Sequence, residues 1–139
     1  MKADLRDVPR RFSPLEGIQL SDMGDIYLED DEQLTFRTES GKGNDIVKKD
    51  WGFYLSNSVN SNLRKQGFKT ALVVSFASGE PRVYVNLVEA EKLEEFHSYL
   101  TRFNARLMCW LDDWFDETIP RLEKADAPQP AGGSTPNGD

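Results

Sequence analysis

Four groups of residues have types and spacings that could do chemistry. Asp112, Asp113 and Asp116 spell D-D-x-x-D, a spacing that lets carboxylates on a helix hold a magnesium ion against a diphosphate. Enzymes that use the motif this way are large and all-helical, and 139 residues cannot build one, so an acidic helix start or solvated face is the expected use. Gly41-Lys42-Gly43 is a fragment of a phosphate loop. The full G-x-x-x-x-G-K-[ST] pattern is missing, and a turn explains both glycines. His97 and Cys109 would form a nucleophile pair only through tertiary contact, and a lone thiol in an apolar run is ordinarily inert packing. No catalytic residue is therefore assigned. One Cys and one His also rule out a zinc site on Cys/His ligands, and no metal ligand or cofactor is expected.

The fourth group differs in kind. Residues 42–69 hold Lys42, Lys48, Lys49, Arg64, Lys65 and Lys69 against Asp45 and Asp50, a local net of +4, which leaves −11 on the rest of the chain. Trp51, Phe53 and Tyr54 stand beside a cluster of Ser and Asn. Hydroxyls, amides and lysines suit anions, and aromatic faces suit sugars or bases. The candidate ligand-binding residues are Lys48, Lys49, Trp51, Tyr54, Ser58, Asn60 and Arg64, with Arg82 and Tyr84 contributed by a following hairpin. The plainer alternative is that Ser58 caps a helix while the aromatics fill the core.

These side chains need elements to hold them. The strongest strand signal is Phe68–Phe76, closed by a turn at Ser78–Pro81 and returned by the strictly alternating Arg82–Val88. This hairpin is expected to be central, with Leu72 and Val83 buried. Leu93, Phe96, Leu100 and Phe103 form one apolar helical stripe within 89–103, and Asn104 is a reasonable stop. Ala105–Leu111 reads as a further strand, followed by a weak helical turn or two interrupted by Pro120. Upstream, 17–20 and 25–28 read as short strands, with Glu29–Glu32 as a hairpin turn. Leu34 and Phe36 alternate in a half-buried strand, Ser40–Asp45 is a turn, and Asp45–Lys48 returns. Ser56 or Ser58 is expected to cap a short helix that Gly67 ends. The pattern implies an α+β fold, a mainly antiparallel sheet of about six to seven strands with two helices packed on one face. Residues 1–14 read as a flexible lead-in, 15–122 as the single domain, and 123–139, rich in Pro, Gly and Ser, as a disordered tail.

The run Trp51-Gly-Phe-Tyr54, Ser58-Val-Asn60, Leu63 and Gly67-Phe68 through Val73 resembles a small uncharacterised bacterial family with a W-G-F-Y…S-x-N-x-x-L…G-F core. The resemblance spans about residues 33–113, departs from the pattern at Asn57, where the family carries proline, and implies no activity.

Seventeen Lys and Arg against 24 Asp and Glu give a net charge of −7, which argues against binding nucleic-acid backbones. No apolar run reaches the roughly 20 residues of a membrane span. The first residues lack the apolar core of a secretory signal, and the single Cys fits a cytoplasmic setting. The expected function is a non-enzymatic binding or accessory protein with a protein partner, a homodimer being compatible. The alternative is a small enzyme or binder for an anionic or sugar-like small molecule at 48–65. A further alternative is an inhibitor or immunity-type protein that presents Glu29–Glu32 and Asp112–Glu117 to a basic partner.

Overall fold

Phe68 to Ser75 is dense in β-branched and apolar residues, and it becomes the central strand of the best-buried sheet. The structure, a computed structural model, describes residues 1–124. In chain order the elements are β1 (Lys2–Leu15), β2 (Ile18–Tyr27), β3 (Gln33–Arg37), β4 (Gly43–Lys49), β5 (Gly52–Leu55), α1 (Asn62–Gln66), β6 (Phe68–Ser75), β7 (Arg82–Glu89), α2 (Leu93–Arg102), β8 (Ala105–Trp110) and α3 (Leu111–Lys124). A single 3-10 turn, Ala90–Lys92, leads into α2. The fold is α+β, and the described residues form eight strands in three antiparallel sheets, β1-β2, β3-β4-β5 and β7-β6-β8.

The core lies on one face of β7-β6-β8. Ala71, Val73 and Val88 are buried there beneath Leu100 of α2, with Leu93, Phe96, Leu107 and Trp110 packed around them. The apolar stripe read from the sequence is the face α2 buries, and Asn104, at φ 49°, turns the chain into β8. α1 and α3 instead pack at the start of β6, where Leu63 of α1 is fully buried. Gly67 ends α1 in the left-handed conformation (φ 91°), as the helix-stop reading requires. The β3–β4 turn is tied to the end of β7 by the Ser40 hydroxyl, which donates to the Glu89 carboxylate at 2.6 Å, and by Lys42, paired with Glu91 at 3.3 Å.

Several expectations are corrected. Residues 2–14, expected to belong to a flexible lead-in, lie in strand β1, paired with β2. Their two prolines are accommodated because β1 is an edge strand whose register breaks between Leu5 and Arg10, around Pro9, and again near Pro14. The short strands 17–20 and 25–28 are one continuous strand, β2. Gly24 permits it: a Cβ there would lie 2.3 Å from the Asp4 carbonyl oxygen on β1. Glu29–Glu32 is a turn between two sheets and not a hairpin, because β2 pairs with β1 and β3 with β4. Trp51–Leu55 adds β5, and the terminal turn or two is the 14-residue α3, which carries Pro120 inside it. Among the described residues α3 brings the α-helices to three, of which α2 covers the core face. Val83 is 57 % exposed and so is not core. The tail expected at 123–139 lies outside the described residues from 125 onward.

Candidate functional site

The basic, aromatic segment is distributed over several elements. Lys48 and Lys49 end β4, and successive residues on a strand point to opposite faces, so the two ammonium groups diverge. Each meets an aspartate of the preceding turn: Lys48 Nζ donates to Asp30 at 2.6 Å and Lys49 Nζ to Asp31 at 2.5 Å. Hydrogen bonding to Asp31 raises the Lys49 pKa above its ordinary value. Lys49 pairs with Gly52 across β4 and β5, leaving Asp50 and Trp51 as the turn, so Trp51 stands 68 % exposed at the tip. It stacks on Tyr54 with ring centroids 6.0 Å apart.

Ser58 serves α1 from outside it, its Oγ accepting the Asn62 N–H at 3.0 Å, while the flanking Ser61 makes no side-chain cap. Asn57, next to it, clamps Asp45 of β4, accepting the Asp45 N–H at 2.6 Å and donating to its carboxylate at 3.0 Å. Asn60 is half-buried in the same loop. Arg64 reaches α3, donating to Asp116 at 2.7 Å and to the Asp112 carbonyl at 2.5 Å. The Asp116 hydrogen bond raises its pKa. Arg82 and Tyr84 lie on β7, in another sheet. The structure thus brings together Trp51 with Tyr54, and Arg82 with Tyr84. Lys49 lies on the Tyr54 side of the β4–β5 hairpin, close enough for the two to interact electrostatically, and neither pair is joined to Lys48 or Arg64.

The D-D-x-x-D residues have structural partners. Asp112, only 1 % exposed, accepts the Thr70 N–H at 3.0 Å and Lys69 Nζ at 3.1 Å. Its carboxylate continues the β6 ladder where β8 has ended at Trp110, and with Arg64 and Lys69 it fastens α1, β6 and α3 together. Carboxylates in the first turn of α3 also suit the positive end of the helix dipole. Among the described residues no three His, Cys, Asp or Glu converge as metal ligands. Cys109 pairs with Leu72, on the face of the sheet opposite Ala71 and Val73, whereas exposed His97 rides on α2 against the Ala71 face, so the two are not joined.

Among the described residues two further surfaces stand out. One is a cleft of about 550 Å³ between the β1–β2 tip, the end of α2 and the β7-β6-β8 sheet, with Arg82 and Tyr84 in its lining. The sequence reading missed the contribution of Leu15 and Ile18, although two apolar residues flanking Glu16-Gly17 are a hairpin signature. The other is the free edge of β7, where Val83 (57 %), Tyr84 (52 %) and Val85 (58 %) are consecutive and each more than half exposed. The Val83 and Val85 side chains share a face with Leu72 and Val74 of β6. Compared with protein-family models, curated proteins and solved structures, the chain matches none.

Proposed function

We propose that this chain is a binding or accessory protein, non-enzymatic and cytoplasmic, that takes an extended segment of another polypeptide along strand β7. The observation that carries this reading is the contrast between β7 and the other sheet edges. Proteins guard exposed strand edges with charge, proline, bulges or brevity, because an unpaired row of N–H and C=O groups templates pairing. β1 carries Pro9, Pro14 and five charged residues from Asp4 to Arg11 besides its register breaks, and β2, the other edge of that two-stranded sheet, carries Asp22 and Asp25. β3 and β5 are five and four residues long. β8 carries Arg106 and a register break at Leu72/Val73. β7 has none of these from Val83 to Val88, and it pairs with β6 in unbroken register. An extended apolar segment would gain main-chain hydrogen bonds along this edge and bury the valines.

A second copy of the chain satisfies the same chemistry. With the two β7 strands antiparallel about a two-fold axis, Val85 faces Val85 of the partner copy and Val83 faces its Leu87, with no like charges opposed. The test compares the full chain with Val85→Lys, which places a charge on the edge. Sedimentation velocity and amide hydrogen exchange are read for each, alone and after isolation from native extract. The expected result is a complex with protected β7 amides in the natural chain, lost in the variant at unchanged melting temperature. Free exchange, in both chains under every condition, of the β7 amides that point away from β6 would refute the reading.

A further inference from the structure

The cleft beside α2 has an electrostatic character opposite to that of the molecule. Its floor is Val73, Ser75 and Tyr84, one wall is Tyr99 and Phe103 of α2, and the β1–β2 tip supplies the other. Among the described residues no Asp or Glu lines it, although the chain carries a net charge of −7. Among the described residues its one cation is Arg82, whose Nε donates to Ser78 Oγ at 3.1 Å. Lys48, Lys49, Arg64 and Lys69 are each committed to aspartates, whereas Arg82 has no ion-pair partner among the described residues.

The cation and two hydroxyls, Arg82, Ser75 and Ser78, are gathered at one end, with the Asn86 amide at the other. Arg82 is opposite Ser75 in the β6–β7 register, and Ser78 is in the turn between these strands. Tyr84 and Asn86 follow Arg82 along the same face, so the cleft runs about 13 Å along β7 from Arg82 at the strand rise per residue. Apolar walls with a few polar groups converging at one end, in a volume of this order, are the usual anatomy of a small-molecule site.

We propose that this cleft binds a small amphipathic carboxylate. The guanidinium of Arg82 takes the carboxylate through paired N–H donors, with the Ser75 and Ser78 hydroxyls beside it. The apolar body lies along Val73, Tyr84, Tyr99 and Phe103. One cation balances one negative charge, so a monoanion with a long apolar body fits better than a phosphate dianion, whose second charge would go uncompensated against largely apolar walls. The site uses the face of β7 that looks toward α2, and its occupancy does not require the β7 edge to be paired.

The experiment is calorimetric titration of the full chain with octanoate, 1-octanol and inorganic phosphate, repeated on Arg82→Gln. Methyl resonances of Val73, Leu15 and Ile18 report the location. Octanoate should bind once per chain and shift those methyls. The variant should bind octanoate roughly ten-fold or more weakly, the loss of a charge-assisted pair, and should no longer prefer octanoate to octanol. Phosphate should bind far more weakly than octanoate. Arg82 is exposed, so the variant should keep the native melting temperature. Absence of saturable octanoate binding would overturn the proposal. So would equal binding by Arg82→Gln, or phosphate binding as tight as that of octanoate.

Discussion

Replacing Asp112 with alanine is expected to cost far more than replacing its neighbour Asp113. Asp112 is 1 % exposed and satisfies two groups at once, the Thr70 N–H at 3.0 Å and Lys69 Nζ at 3.1 Å. Truncation leaves a buried N–H without an acceptor, which costs about 1–3 kcal/mol. It also removes a charge-assisted hydrogen bond from Lys69, which keeps Asp113 at 3.5 Å and the Trp110 ring, and this brings the total to about 3–5 kcal/mol. For a chain of this size that corresponds to a fall in melting temperature of roughly 10–20 °C. Asp112→Asn keeps an oxygen for Thr70 and loses only the charge, so it should cost about half as much by the same reasoning. Asp113→Ala removes a carboxylate with a 58 % exposed side chain and should stay within about 1 kcal/mol. Urea unfolding followed by circular dichroism, at equal slopes, measures all three. A double-mutant cycle between Asp112→Ala and Lys69→Met should return a coupling of about 0.5–3 kcal/mol. A cost below about 1 kcal/mol for Asp112→Ala, or an equal cost for Asp113→Ala, would refute the claim that the acidic motif is an internal fastening.

Thr70→Val should raise stability by about 1 kcal/mol in the same unfolding assay, because the Thr70 hydroxyl oxygen is buried with no hydrogen-bond partner among the described residues. Gly67→Ala should destabilise by about 1 kcal/mol or more, since φ is 91° and the new methyl would meet the Lys42 side chain at 3.1 Å; thermal unfolding checks this. The Ser40 hydroxyl, with Thr38, holds the Glu89 carboxyl below its ordinary 4.5 despite the opposing desolvation. The folded form therefore binds its proton less readily than the unfolded chain. The stabilisation is fully present above pH 4.5 and is lost as pH falls through the folded value. The stability gap between the natural chain and Glu89→Gln should thus be constant near neutrality and close on acidification below that range, as acid-dependent urea melts would record.

Local chemistry determined much of the chain. The β6–β7 hairpin, the α2 stripe, the stop at Gly67 and the β3–β4 turn follow from side-chain periodicity and from residues whose backbone preferences act over a few positions. The role of Ser58 as an acceptor for the first N–H groups of α1 was legible for the same reason. β1 was not: its charges and prolines say loop locally, and only pairing with β2, with register breaks around the prolines, makes it a strand. The division of eight strands into three sheets was equally hidden, because a turn such as Glu29–Glu32 looks the same whether it returns to its own partner or leads to a new sheet. For the site, composition marked a basic, aromatic segment, but side-chain partners decide whether a cation is available. Tertiary placement set Asp30 and Asp31 against Lys48 and Lys49, and three aspartates of α3 around Arg64. It gave Arg82, which the sequence offered only as an accessory, a cleft with no acidic lining among the described residues. Whether a charge is spent or free depends on long-range contacts between segments, and sequence spacing carries no record of those distances.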